Sequence, residues 1–210
     1  MSTISVTRRA LLKGSVAVGA GLVIGFRLPR AWAQSKPGVF APNQWLSIDR
    51  DGLVTIVNSV PEMGQGTSTT MPMIVADELD VDLGKVKVVQ APANPALYAN
   101  PITKSQSYGG SRGIRDHLAL WRKSGAAARQ MLKQAAANEW GVPVESVDTE
   151  PGVVVHKPTG RKLAYGALVD KACELPVPQD PPLKTPDKLR YIGKEYARLD
   201  LTSQTDGRAI

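Results

Sequence analysis

The chain has a single cysteine, Cys173, in 210 residues. That excludes an intrachain disulfide and leaves a cysteine-ligated zinc or iron–sulfur centre without its companion ligands. The only histidines, His117 and His156, stand alone with no metal-ligand spacing between them. Aromatic residues make up only 5%, too few for the stacking platform that single-stranded nucleic acid requires. No run approaches the roughly 20 consecutive apolar residues of a bilayer span. Acid is absent from residues 1–33, which contain Arg8, Arg9, Lys13, Arg27 and Arg30. Of the 26 Lys and Arg, taking away these five leaves 21 against 19 acids. The net charge of +7 is therefore mostly a property of the N-terminus, and no nucleic-acid partner is expected. With 42% apolar and 21% charged residues the chain has ample material for a core.

That N-terminus reads as an address. Adjacent arginines, a short glycine-containing apolar run and Ala31-Trp32-Ala33 have the order of a secretory signal with an A-x-A cleavage site. The Arg8-Arg9 pair with Leu11-Leu12-Lys13 points to the twin-arginine route. Residues 1–33 are thus expected to direct export to the periplasm, with membrane association of the mature chain left open.

Beyond it, Trp45–Ile48 and Leu53–Val57 flank Asp51-Gly52 as a hairpin. A turn-rich loop, Pro61-Glu62-Met63-Gly64-Gln65-Gly66, precedes a helix over about 68–79 that Thr67 can cap. Val86–Gln90 reads as a strand, and 91–109 as a long polar loop of the kind that is usually functional. The clearest element is a helix in which Ile114, Leu118, Trp121, Gly125, Ala128, Leu132 and Ala135 share one face. Arg115, Arg122, Lys123, Arg129 and Lys133 lie off that stripe, on a face expected to be solvated or interfacial. His117 is also off the stripe and is expected to be structurally bland. Two short strands are expected around Val147, Val153–Val155 and Leu163, then a short helix over 165–172 holding the approach to a partly buried Cys173. Five prolines make 174–190 an extended linker.

Two segments carry chemistry. In each a glycine-rich loop runs into a helix N-terminus, where backbone N–H groups converge and favour an anion. The first is Gly64-Gln65-Gly66, with an amide side chain that both donates and accepts. The second is Gly109-Gly110-Ser111-Arg112, with a hydroxyl and a guanidinium suited to phosphate. Spacing alone leaves a tight structural turn and a ligand cradle equally open at both.

Together with Ala76–Leu79, Lys85–Val88, Ala91-Pro92-Ala93, Trp121–Arg129, Tyr191–Lys194 and Arg198–Asp200, these loops resemble the cofactor-binding part of molybdenum hydroxylases. This is the xanthine dehydrogenase and aldehyde oxidase family, and the nearest variety resembles the exported large (beta) subunit of isoquinoline 1-oxidoreductase type. The resemblance implies an α+β fold: short strands with two main helices packed on the sheet, as an incomplete molybdopterin-binding domain over 42–172. Residues 173–210 would be a Pro-rich linker and the start of a next domain. It also implies an oxidoreductase that hydroxylates heteroaromatic rings or oxidises aldehydes. The cofactor would be molybdenum–molybdopterin cytosine dinucleotide, held by Gly64, Gln65, Gly66, Gly109, Gly110, Ser111 and Arg112. A small subunit would carry [2Fe-2S] clusters, with a cytochrome c as a further electron acceptor. Family members are several times longer, with a general-base glutamate near their far end. The remainder of the large subunit is therefore expected as a partner, this chain alone is expected to be inactive, and Glu62 is assigned no catalytic role. The sequence departs from the family's Thr-Gly-Gly-Ser-Thr-Ser at Tyr108, Arg112 and Gly113: two hydroxyls give way to a guanidinium, and either Arg112 compensates by pairing with phosphate or Tyr108 blocks the site. The competing reading is a non-catalytic exported binding module on the same scaffold.

Overall fold

The computed structural model describes residues 38–207. The expected signal at 1–33 lies outside the described residues. The fold is α+β, with two antiparallel-rich sheets and two principal helices.

The first sheet has the order β1-β2-β3-β4, from Val39–Asn43, Leu46–Asp49, Val54–Asn58 and Val86–Gln90. The expected Asp51-Gly52 hairpin joins β2 to β3, and Gly52 takes the positive φ of +80° that this turn needs. Strand β1 was not expected. Pro42 interrupts its pattern, which an edge strand tolerates, and its register against β2 shifts between Phe40 and Asn43. β3 and β4 are parallel, with helix α1 (Thr67–Leu79) as the crossover.

Ten of the thirteen residues of α1 are buried, because it lies between the sheet and the long helix α3 (Arg112–Trp140). A short helix α2 (Pro95–Tyr98) breaks the expected 91–109 loop. Gly125 brings α3 against α1: a Cβ there would stand 2.6 Å from the Val75 carbonyl and 3.0 Å from Glu78 Cβ. One end of the same pair has Gly113 against Val60 and Thr67. Since 113 meets 67 and 125 meets 75–79, the two helices run in the same direction with their N-termini side by side. Their dipoles therefore add at one end of the molecule.

A second sheet, β5-β6-β7 (Val147–Glu150, Val153–His156, Lys162–Ala164), has three strands where two were expected. Helix α4 (Tyr165–Cys173) links it to the first sheet, with Gly166 pressed on the Arg50 carbonyl. Tyr165 is buried, and its hydroxyl donates to the Leu79 carbonyl at 2.7 Å. Residues 174–190 form an irregular arm with one 3-10 turn at Pro186–Lys188, tied down along α1 and α3. Buried Asp77 accepts from the N–H groups of Arg190, Tyr191 and Ile192, and buried Glu78 from that of Lys184. The arm then runs antiparallel to α1 and reaches its first turn, where Leu199 N–H donates to Thr69 Oγ1 at 2.9 Å, before the short helix α5 (Leu201–Thr205). Among the described residues no helix is long and apolar enough to cross a membrane.

The basic side of α3, expected to be solvated or interfacial, is solvated at Arg115 and an internal interface at two other positions. Arg122 and Arg129 are not solvated; both pair with the fully buried Glu78 and donate to the carbonyls of Lys184 and Pro182. Leu118, expected on the core stripe, is 40% exposed, while off-stripe His117 is fully buried and stacks on Trp121. Cys173, expected to be partly buried, is exposed.

Candidate cofactor-binding site

Both glycine-rich loops end at the shared N-terminal end of α1 and α3, just beyond the C-terminal end of β3. Their internal chemistry differs. In the first, Gly64 and Gly66 adopt φ of +100° and +84° and turn their N–H groups inward. Glu62 Oε1 accepts from Gly64 and Gly66 at 2.8 and 2.9 Å, and Oε2 from Ser68 at 2.9 Å. The anion that the α1 N-terminus favours is thus the protein's own carboxylate. Thr67, expected as the cap, is the first helical residue; its hydroxyl lies 3.3 Å from the Pro61 carbonyl, and no side chain caps from the Gly66 position. Gln65 is also engaged within the loop, accepting from Met63 N–H and donating to the Pro61 carbonyl. Burial raises the Glu62 pKa, but the N–H bonds from Ser68, Gly66 and Gly64 and the Arg198 charge outweigh it, so the net shift is downward.

Arg198 closes this loop from outside. Its guanidinium donates to the Gly64 carbonyl at 3.2 Å, stands 3.4 Å from Glu62, and forms a fork with Asp200 at 2.9 and 2.8 Å. A cavity of about 410 Å³ opens beside it, lined by Asn58, Ser68, Val88, Gln90, Leu199 and Asp200. A larger concavity of about 610 Å³ lies at the other end of α1, around Asp80, Lys133 and Lys184, and contains none of the site residues expected from sequence.

The second loop is open. Gly109, Gly110, Ser111 and Arg112 are all exposed, and Ser111 takes φ +56° without making a side-chain capping bond. A Cβ on Gly109 would meet nothing within 4 Å. Among the described residues no side chain caps the N-terminus of this 29-residue helix, where unpaired first-turn donors favour an anion. Two contacts hold the loop from behind. His117 Nδ1 donates to the Gly113 carbonyl at 2.8 Å, and Asn100 bridges Asp116 Oδ2 to the backbone of Ile102 and Thr103. Burial lowers the His117 pKa and favours the neutral ring whose Nδ1 carries the proton. Tyr108 is half-buried and packs against the core.

Glu62, Arg198 and Asp200 are the parts of this arrangement that sequence reasoning did not assign to the site. Arg198 and Asp200 are about 130 residues from the loop they close, a contact that no local pattern announces. Among the described residues no group of three or more His, Cys, Asp or Glu is placed to hold a metal ion.

The chain is thus an α+β unit with a parallel helix pair and two glycine-rich turns at one end, one of them open to solvent. A family model for the molybdopterin cofactor-binding domain matches residues 7–204, and the chain belongs to that family. The isoquinoline 1-oxidoreductase subunit beta of Brevundimonas diminuta is 37% identical over 173 residues, 80% of this chain and 22% of that protein. The membrane-bound aldehyde dehydrogenase (pyrroloquinoline-quinone) of Gluconacetobacter polyoxogenes is 30% identical over 220 residues, 98% of this chain and 27% of that one. Among solved structures, quinoline 2-oxidoreductase from Pseudomonas putida 86 aligns over 59% of this chain and 15% of its own, at 21% identity and a TM-score of 0.42. The chain thus spans about a quarter of the length of these two curated relatives.

Proposed function

We propose that this chain is the part of an exported molybdenum-cofactor oxidoreductase that grips the anionic end of the cofactor with the Gly109–Arg112 loop. The carrying observation is the open N-terminus of α3, whose glycine backbone, Ser111 hydroxyl and Arg112 guanidinium face solvent. The residues fit the group: a phosphate needs convergent donors with no resident anion, and this loop supplies them. Gly64 and Gly66 give their N–H groups to Glu62, and Gln65 gives its side-chain amide to the Pro61 carbonyl, so this loop forms a wall beside the site. When bound, the cofactor supplies the oxidation of an aldehyde or the hydroxylation of an N-heteroaromatic ring. The chain's own residues bind and orient it. The cytosine dinucleotide form suits a site with donors for more than one phosphate, and Arg112 offers a forked donor where the related pattern has a hydroxyl. A [2Fe-2S] subunit, the rest of the large subunit and a cytochrome c complete the proposed electron path, and the twin-arginine pattern of residues 1–33 supports a periplasmic location for it.

The test is molybdenum and pterin content of the complex isolated through a tag on this chain from a cofactor-producing host. Ser111→Ala with Arg112→Ala is expected to lower both at least about tenfold, equivalent to loss of one or two charge-assisted bonds. Unchanged content in that double variant refutes the reading.

A further inference from the structure

Glu62, Arg198 and Asp200 form a trio of two carboxylates and one guanidinium at the first loop. Glu62 and Asp200 are 17% and 22% exposed at their side chains, and Arg198 32%. Each contact has a plain local use: Glu62 caps α1, and Asp200 holds the guanidinium in a fork. Neither use requires Arg198 to reach Glu62 or the Gly64 carbonyl, yet it does both, from the far end of the C-terminal arm. The arm is anchored independently of it, by Asp77 on residues 190–192 and by Thr69 on Leu199. The contact with the loop is therefore not needed to hold the arm down.

We propose that Arg198 is a positioning residue that offsets the Glu62 charge, so that an anionic cofactor can lie along a loop already capped by a carboxylate. The inference rests on the reading that the cofactor occupies this end of the helix pair. With Arg198 the trio has a net charge of −1; without it the two carboxylates stand alone at −2, next to a site meant for phosphate. Like charges at such range, partly shielded from water, repel strongly enough to change affinity by an order of magnitude. Neutralising Glu62 as well returns the trio to −1, which gives the idea a signature that a purely structural arginine would not show.

Four forms of the complex are isolated from a cofactor-producing host and assayed for bound pterin, molybdenum and melting temperature: wild type, Arg198→Met, Arg198→Lys and Glu62→Gln/Arg198→Met. Arg198→Met is expected to retain about tenfold less cofactor. The double variant is expected to recover to within about twofold of wild type, and Arg198→Lys, which keeps the charge but loses the fork, to stay within about threefold. Loss in Arg198→Met without recovery in the double variant overturns the proposal and makes Arg198 structural. Full retention in Arg198→Met overturns it too, as does loss in Arg198→Lys should Arg198→Met fail to fold. Failure of the underlying cofactor reading shows separately, as full retention in Ser111→Ala/Arg112→Ala.

Discussion

The turn before α1 and the turn before α3 stand side by side and start parallel helices, and both place glycine at positive φ. In the first, a carboxylate four positions before the helix N-cap fills the cradle and satisfies three backbone donors. In the second, the N-cap is Ser111 itself, its hydroxyl makes no capping bond, and the nearest acid, Asp116, points to Asn100 and Arg115. Two loops alike in glycine content thus differ in whether an anion is already built in. A carboxylate that has already taken the donors of a glycine-rich turn leaves it fewer to offer an external anion.

The largest expected effect removes the setting for the comparison. Gly125→Leu forces a side chain onto the Val75 carbonyl and should cost about 3 kcal/mol or more, separating the helices and lowering the denaturation midpoint sharply. A near-wild-type urea midpoint would show that close approach of α1 and α3 is not what aligns the loops. Next, the loops should respond oppositely to truncation. Glu62→Ala strips the cap from α1 and is expected to cost about 1–3 kcal/mol in chemical denaturation. Ser111→Ala should leave stability within about 0.5 kcal/mol, since no capping bond is lost. Equal losses would erase the distinction.

Acid gives a third handle. Glu62 titrates lower in the folded chain than in the unfolded one, so its contribution is complete above the ordinary carboxyl range and disappears as pH falls through the lowered folded value. Amide exchange at Gly64, Gly66 and Ser68 should therefore accelerate on acidification, after correction for intrinsic rates. The same protons should be insensitive in Glu62→Gln. A control lies at Tyr165→Phe, remote from both loops: losing the bond to the Leu79 carbonyl should cost about 1 kcal/mol in the melting curve and leave cofactor content unchanged.

Much of this fold was legible from local pattern. Asp51-Gly52 marked the hairpin, Val86–Gln90 a strand, and the four-and-three recurrence from Trp121 to Ala135 marked α3 and put Gly125 on its packed face. What escaped was set by distant partners. β1 exists because β2 offers it an edge, despite Pro42. The arginines at 122 and 129 look solvent-bound on a helical wheel, and only the buried Glu78 and the returning arm explain their enclosure. Leu118 falls on the apolar stripe but lies where the helix emerges toward the open loop end. At the site, both glycine-rich loops were visible, whereas the capping role of Glu62 was not. Its use as the resident anion depends on backbone dihedrals at Gly64 and Gly66 that residue identity permits without requiring. Arg198 depends on the path of an arm whose prolines advertise extension but not destination.

The most direct measurement is a structure of the cofactor-loaded complex. The Gly64, Gly66 and Ser68 N–H groups should still be bonded to Glu62, with phosphate oxygens within hydrogen-bond reach of the Gly109–Arg112 loop. A phosphate seated in the first cradle with Glu62 swung out, and the second loop bare, would contradict the division of roles between the two.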